Sequence, residues 1–331
     1  MRLPSMEDIA REAGVSASTV SRALSGNPSI SERTRKKVFS AAERLGYRKR
    51  PYGTGVPEPQ DVAGVIIPDM MSDYYARLAH AINERFRQKN FSTMLSITNF
   101  DQSESIRAVE QMAACRVRCL LIVMDDAEDI SGRLIAAVRQ AMLPVMFITS
   151  RYISTLDADC LFVDESRGNT MAVEHLLHRG YRRIGFLGEL NTTNRRSVFL
   201  ATMKSFDMPV NPDFVRMGTE RGELGGYLRM REILQLPDLP DAVYASYDQM
   251  AIGAIHAIQE SGLRVPGDIA VIGFDDISIA RYISGGLTTI GTPYDDMAAI
   301  SVRILTHRVQ HPYGQPQQVA IKPLLIVRAT T

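Results

Sequence analysis

From residue 62 to the end of the chain, short apolar runs alternate with longer amphipathic stretches. The predicted strands are 62–67, 93–98, 119–124, 145–149, 160–163, 184–187, 242–245, 269–274 and 321–327. Helices are predicted between them, for example over 75–89, 165–179 and 248–261. Such alternation is typical of parallel sheets with right-handed crossovers, and this many units favours two lobes over one sheet. We therefore predict an α/β core whose ligand site lies at the carboxyl ends of strands, in a cleft that can close by hinging.

Length and composition agree with a globular protein of more than one unit. The chain has 331 residues, of which 45% are hydrophobic and 23% charged, so two or three folding units are expected. No apolar stretch approaches the length that a bilayer requires. Residues 1–8 carry acids and no apolar run, which is unlike a signal peptide. We expect a cytoplasmic protein without membrane contact.

The first 48 residues carry the boundary signals of three short helices. Ser5 and Asp8 have the spacing of a capping box, and Gly14 lies where a helix ends in the left-handed conformation. Ser16 and Ser31 are placed to cap the second and third helices. A short helix, a glycine turn and a serine-capped helix together predict a helix-turn-helix.

Positive charge is concentrated in this N-terminal part. Residues 1–60 contain eleven Lys or Arg against six Asp or Glu, whereas the formal net charge of the whole chain is +1. A basic head on a mildly acidic body indicates a polyanionic partner for the head alone. Charge by itself is weak evidence, because a basic segment can also be merely solvated.

The second helix of this headpiece has one face that is suited to DNA. At about 100° per residue, Ala17, Ser18, Ser21 and Arg22 share its outer face. The small residues let this face enter a major groove, where Arg22 can read guanine O6 and N7. The predicted DNA-binding residues are Ser5, Ser16, Ala17, Ser18, Thr19, Ser21, Arg22, Ser31 and Tyr47. The alternative is a small helical bundle that does not bind nucleic acid.

Short motifs along the chain match one known family. In the headpiece they are Asp8-Ile-Ala, Ala13-Gly-Val-Ser, Thr19-Val-Ser-Arg and Leu45-Gly-Tyr47. In the core they include Ile67-Pro-Asp69, Arg183-Ile-Gly-Phe-Leu-Gly188, Asp248-Gln-Met-Ala-Ile-Gly253 and Ile272-Gly-Phe-Asp-Asp276. With these motifs the chain resembles the lactose-repressor/galactose-repressor (LacI/GalR) family over its whole length.

The resemblance implies a function and an assembly. It implies a homodimer that binds palindromic operator DNA, with a core like that of periplasmic binding proteins. The expected function is that of a ligand-responsive repressor of a sugar or small-metabolite utilisation operon. No heptad repeat follows the last predicted strand, so we expect a dimer without an added tetramer-forming helix.

The segment after Tyr47 departs from the family pattern. Relatives usually continue there with a short hinge helix whose leucine enters the minor groove, whereas this chain reads Lys49-Arg-Pro-Tyr-Gly-Thr-Gly-Val56. Gly53, Gly55 and Pro57 each oppose a helix. We therefore expect a linker at 49–61 and weaker DNA bending than is usual in the family.

The resemblance also places an effector site on loops at strand ends. The predicted effector-binding residues are Tyr74, Tyr75, Arg151, Arg195, Phe199, Tyr247 and Asp275. Arg195 fits the family pattern R-x-x-G-[YF] with a valine in the glycine position, and Arg196 could take its role. Tyr247 stands where relatives commonly have asparagine, so the ligand of a relative cannot simply be transferred. A small polar metabolite, most often a sugar in relatives, is the expected partner.

Several of these residues also have a purely structural interpretation. Tyr74 and Tyr75 could pack between the lobes instead of stacking on a ligand. Asp275 or Asp276 could cap a helix that follows them, and Asp164 could cap the helix that it begins.

Metal binding and catalysis find little support in the sequence. The three cysteines, Cys115, Cys119 and Cys160, do not make a disulfide framework. Cys115 and Cys119 have a C-x-x-x-C spacing, but no second ligand pair follows, so these two are expected to be small buried residues. His175 and His178 share a helix face without a carboxylate motif. There is no P-loop, nucleophile elbow or dinucleotide-binding glycine pattern. We expect no cofactor, no metal and no enzyme activity.

Two other functions are alternatives to that of a DNA-binding regulator. A sugar-binding transport receptor would share the two-lobed core, but it would need an export signal and no DNA-binding headpiece. A sugar-phosphate-processing enzyme would need a catalytic arrangement of residues. The favoured division of the chain is a headpiece at 1–48, a linker at 49–61 and a core at 62–331. Within the core, the predicted lobes are 62–160 plus 292–318 and 161–291 plus 319–331.

Overall fold

The structure, a computed structural model, describes residues 5–24, 27, 30–45, 61–124, 130–153 and 156–331. It divides into two compact units, residues 1–59 and 60–331. Tyr47 and nearly all of the predicted linker lie outside the described residues. In the part of the chain that is described, no helix is both long and apolar enough to cross a membrane.

The N-terminal unit contains three helices around a small apolar core. They are α1 (Met6–Ala13), α2 (Ala17–Leu24) and α3 (Glu32–Arg44). Ile9, Val20 and Val38, one from each helix, are fully buried against one another. This shared core fixes α2 between its neighbours, and it removes their apolar faces from water.

The predicted caps of these helices are confirmed. The hydroxyl of Ser5 accepts the Asp8 N–H, while the Asp8 carboxylate accepts the Ser5 N–H at 2.8 Å. Gly14 ends α1 at φ +65°, a conformation that favours glycine. Ser16 caps α2 through the Thr19 N–H at 3.2 Å.

The second unit is built from alternating strands and helices. Its strands are β1 (Asp61–Ile67), β2 (Phe91–Ile97), β3 (Cys119–Val123), β4 (Val145–Thr149), β5 (Asp159–Val163), β6 (Ile184–Glu189), β7 (Val215–Gly218), β8 (Ala242–Ala245), β9 (Ala270–Asp275), β10 (Thr288–Gly291), β11 (Gln318–Ile321) and β12 (Leu324–Ile326). Its helices are α4 (Asp73–Gln88), α5 (Gln102–Ala114), α6 (Gly132–Ala141), α7 (Glu165–His178), α8 (Thr193–Ser205), α9 (Gly222–Ile233), α10 (Asp248–Glu260) and α11 (Tyr294–Gln310).

Each of two lobes in this unit has one six-stranded sheet. The first sheet has the order β11-β5-β4-β3-β1-β2 and is parallel throughout. The second has the order β12-β10-β9-β8-β6-β7, and β12 alone runs antiparallel to its neighbour. Central strands such as β3 are buried along their whole length, because helices cover both faces of the sheet. The predicted α/β fold with two lobes is confirmed.

The chain crosses between the lobes after β5, after β10 and between β11 and β12. The predicted lobe boundaries at 160 and 318 fall inside β5 and β11, so both lie a few residues too early. The predicted last strand, 321–327, is wrong as a single element. Lys322 and Pro323 interrupt it, and β11 and β12 belong to different sheets.

Candidate functional site

The outer face of α2 is accessible, as predicted. Ala17, Ser18, Ser21 and Arg22 are exposed. On the opposite face, Val20 and Ala23 are fully buried. The helix therefore presents one long basic side chain among small residues, on a support that is held by the headpiece core. This is the arrangement that a recognition helix requires in order to enter a major groove.

Three of the predicted DNA-contacting serines cap helices, because their hydroxyls accept backbone N–H groups at the helix starts. Besides its capping bond, the hydroxyl of Ser16 lies 2.9 Å from the hydroxyl of Ser18. Ser5 donates its hydroxyl to the Asp8 carboxylate at 2.7 Å. Ser31 accepts the Thr34 N–H at 3.3 Å. Contacts of these serines with phosphate, and any contact by Tyr47, stay predictions.

A cavity of about 370 Å³ lies between the two lobes of the core, at the carboxyl ends of their strands. Five of the seven predicted effector-binding residues line it. They are Tyr74, Tyr75, Arg195, Tyr247 and Asp275. Its volume is within the range of cavities that hold small ligands.

Arg195 is a buried cation with a carboxylate partner. Its Nε and one Nη donate to the two carboxylate oxygens of Glu165 at 2.9 and 2.6 Å. Its other Nη donates to the carbonyl of Ser246, and the guanidinium lies 4.4 Å above the ring centre of Phe274. Arg195 therefore makes its two-pronged carboxylate contact within the protein. Arg196, the alternative, is exposed and does not line the cavity.

Asp275 lies at the end of β9 with its carboxylate facing the cavity. Its backbone has φ +107°, which is uncommon for a residue with a side chain. The hydroxyl of Thr292 lies 3.4 Å from one carboxylate oxygen. Burial raises the pKa of Asp275 to about 7, and the positive charge of Arg195 opposes this rise.

The suggestion that Asp275 or Asp276 caps a following helix is wrong. A short 3-10 helix, Ser278–Arg281, follows them, and Asp73 of the first lobe accepts its Ser278 N–H at 2.9 Å. The Asp276 carboxylate instead pairs with Arg328 at 2.5 Å. Asp73 therefore joins the lobes at one side of the cavity.

Tyr247 is held in a network at the end of β8. Its hydroxyl accepts the N–H of Gly222 at 2.8 Å and donates to Glu189 at 3.2 Å. Glu189, at the end of β6, also pairs with Arg221 at 3.3 Å. The Arg221 guanidinium lies 4.2 Å from the ring centre of Phe100, which belongs to the first lobe. The network thus links three chain segments of the second lobe and contacts the first.

Tyr74 and Tyr75 lie at the cavity, and the ring contacts described for them are made within the first lobe. Both line the cavity, and their ring centres are 4.9 Å apart in an edge-on contact. Tyr75 is buried against Phe100, and Tyr74 lies against Tyr294. The rings therefore pack on the core of the first lobe and form one wall of the cavity.

Two predicted effector residues do not line the cavity. Phe199 is fully buried in the second lobe, where it stacks on Phe186 at 5.3 Å, because its position on α8 points toward the sheet. Arg151 is exposed beyond the end of β4. Asp164 caps α7 by accepting the Arg167 N–H at 2.9 Å, so its structural interpretation is the one that the structure supports.

The sequence did not point to Glu165, Glu189, Arg221 or Phe100. All four line the cavity. Each carboxylate finds its arginine about 30 residues away, and nothing in the local sequence indicates such a pair.

The cysteines and histidines do not form a metal site in the described residues. Cys119 is buried as expected, and Cys160 is buried too. The expectation is wrong for Cys115, which is exposed because it ends α5 at the surface. Burial raises the pKa of the Cys119 thiol to about 12. His175 Nε2 lies 2.8 Å from the hydroxyl of Thr331 and is therefore a satisfied side chain.

Comparison with known proteins gives two family matches. Residues 5–49 match "Bacterial regulatory proteins, lacI family", and residues 173–331 match "Periplasmic binding protein-like domain". The chain is 30% identical to the HTH-type transcriptional repressor PurR of Haemophilus influenzae, over 98% of each chain. It is 29% identical to the ribose operon repressor of Escherichia coli, over 99% of this chain and 100% of that one.

A solved structure is similar over nearly the full length. The crystal structure of the lac repressor dimer bound to operator and the anti-inducer ONPF has a TM-score of 0.73 and 25% identity. The similarity covers 99% of each chain.

Proposed function

Because this chain belongs to the LacI family of bacterial regulatory proteins, we propose that it represses a sugar or small-metabolite utilisation operon, bound as a homodimer to a palindromic operator. The observation that carries this proposal is the outer face of α2, exposed and polar on a helix that is buried on its other side. The relatives are named as repressors, and the similar crystal structure is a dimer on its operator.

The proposed division is a headpiece at 1–48, a linker at 49–61 and an effector-binding core at 62–331. In the headpiece, Arg22 reads a guanine in each half-site. The hydroxyls of Ser16 and Ser21 contact phosphate oxygens, which position the helix without specifying sequence. Ser5, Ser31 and Tyr47 also contact the DNA. The protein works in the cytoplasm, on chromosomal DNA.

The core supplies the response to a ligand. A small polar molecule, in the first place a sugar, binds in the cavity between the lobes, near Tyr74, Tyr75, Arg195, Tyr247 and Asp275. Binding changes the angle between the lobes. Operator affinity then changes, because a dimer reads its two half-sites at a fixed spacing.

The test starts with selection of DNA sites from a random pool by the full-length protein. Arg22→Ala should then relax discrimination at one base position of each half-site and cost about 1–3 kcal/mol per lost contact. Arg44→Ala is a matched control, because Arg44 is an exposed cation on α3 that pairs with Glu12 at 3.2 Å. It should weaken binding to all sites alike or not at all.

Two results would contradict the proposal. One is the absence of any preferred DNA site at moderate salt, with or without metabolites. The other is an Arg22→Ala protein that binds the selected operator as tightly and as selectively as the parent. The first would refute the regulator itself, and the second only the assignment of the recognition residue.

A further inference from the structure

Both arginines that line the cavity are paired with carboxylates. The side chains of Arg195 and Glu165 are only 10% and 9% exposed, and two hydrogen bonds join them. A phosphate or carboxylate that enters the cavity must therefore compete with a carboxylate that is already in place. An anion that displaced Glu165 from Arg195 would separate a buried carboxylate from its guanidinium, which is strongly unfavourable.

The second pair joins a buried carboxylate to a partly exposed arginine. Glu189 is 5% exposed, lies 3.3 Å from Arg221 and accepts the hydroxyl of Tyr247. The Arg221 guanidinium also lies 4.2 Å from the ring centre of Phe100, a cation–π contact. Displacing Glu189 would break several contacts at once.

Two further side chains of the wall are carboxyl groups. Asp69 and Asp275 line the same cavity, and burial raises the pKa of Asp275 to about 7. The N–H of Gly222, at the start of α9, could otherwise attract an anion, but the hydroxyl of Tyr247 occupies it. Among the described residues that line the cavity, carboxyl groups outnumber guanidiniums even when Asp275 is left out.

The cavity wall carries hydrogen-bond acceptors, donors and aromatic rings that can bind a hydroxylated molecule. Carboxylate oxygens accept hydroxyl protons, and three of the five N–H groups of Arg195 are used by Glu165 and Ser246, which leaves two for ligand oxygens. The rings of Tyr74, Tyr75 and Phe100 provide an apolar surface for the face of a sugar ring.

From this arrangement we infer that the cavity binds an uncharged polyhydroxylated ligand and rejects anions such as phosphorylated sugars, with Glu165 and Glu189 as the residues that set this selectivity. The inference rests on the proposed effector site in the cavity. The new elements are the chemical class of the ligand and the role of Glu165 and Glu189, which neutralise their arginine partners.

The first experiment needs no knowledge of the natural ligand. Binding of inorganic phosphate is measured by calorimetry for the parent, Glu165→Gln and Glu189→Gln. Each variant releases one cavity arginine, so a gain in phosphate affinity of about tenfold or more is expected. Glu260→Gln is the control, because Glu260 pairs with Arg231 at 3.0 Å on the exposed surface of the same lobe. It should bind phosphate like the parent.

The two variants differ in their risk to folding. Arg195 is buried, so Glu165→Gln can destabilise the lobe, whereas Arg221 is 40% exposed and tolerates the loss of Glu189 better. Far-UV circular dichroism verifies the fold of each. Phosphate affinities of folded Glu189→Gln and Glu165→Gln that equal the affinity of the parent would overturn the inference.

The second experiment uses matched sugars on the parent protein. Glucose, ribose and their phosphate esters are compared by the shift in melting temperature. A neutral sugar should stabilise the protein more than its ester does. An ester that stabilises the parent, but not Arg195→Gln, would overturn the selectivity. A sugar that stabilises the parent and Tyr74→Ala equally would instead place the effector site outside the cavity, and that would be a failure of the proposed function.

Discussion

The ion pair between Glu165 and Arg195 should stabilise the core only as a pair. The perturbation is a double-mutant cycle of Glu165→Leu, Arg195→Met and the two combined. In the structure both side chains are about nine-tenths buried, and both carboxylate oxygens accept from the guanidinium. Removing one partner leaves a buried charge without compensation, which costs about 3–5 kcal/mol.

The double variant should recover most of that loss. Leucine and methionine have volumes close to those of the residues they replace, and they bring no charge into the lobe. The combined change should therefore lie within about 2 kcal/mol of the parent, since buried ion pairs can often be exchanged for apolar pairs at little cost. The remaining loss reflects the carbonyl of Ser246, which loses its donor.

Urea unfolding of the full-length protein, followed by far-UV circular dichroism, measures the free energies. Each single variant should also lower the melting temperature by about 10 °C. The exposed pair of Arg231 and Glu260 is the control, and Glu260→Gln should leave the free energy of unfolding close to that of the parent. The reasoning would be refuted if the losses of the two single variants simply added in the double variant, because additivity means that the two side chains do not interact.

Three further predictions follow from other parts of the molecule. Gly226→Ala should destabilise the core by about 3 kcal/mol or more in urea unfolding, because its new Cβ would lie 1.8 Å from the carbonyl oxygen of Met250. Gly132→Ala is the control and should not destabilise the core, because its new Cβ would lie in open space. Burial raises the pKa of Asp275 to about 7, so the folded chain holds a proton that the unfolded chain has lost, and stability falls between about pH 4 and pH 7. Asp275→Asn cannot titrate at this position, so the loss of unfolding free energy between about pH 4 and pH 7 should be smaller in this variant by about 4 kcal/mol at most. Urea unfolding of both proteins across this pH range measures the difference. A circular-permutation gel assay should show a weaker DNA bend than is usual in the family, and a sharp kink would contradict the interpretation of the linker sequence.

The parts of the fold that the sequence predicted well are those with strong local signals. The caps at Ser5 and Ser16 need only residues within one turn, and β3 is a continuous apolar run. β7 and β10 were missed, because each has four residues with little apolar content. β10 reads Thr-Thr-Ile-Gly, and its place between β9 and β12 depends on pairing with distant parts of the chain.

The cavity residues differ in the same way between those with local sequence signals and those that depend on distant partners. Tyr74 and Asp275 were predicted because the family resemblance places effector contacts on the loops that follow strands. Phe199 matched a family pattern, but a pattern does not show which face of α8 meets the sheet. Glu165 was missed, because its importance comes from Arg195, thirty residues further on.

The last strands of the chain have a consequence for its synthesis. β11 and β12 are edge strands of different sheets, and both follow the other ten strands in chain order. A nascent chain on the ribosome therefore cannot complete either sheet until residues 318–326 have emerged. Loss of these residues would open one edge on each sheet, exposing unpaired backbone groups where chains can join and aggregate.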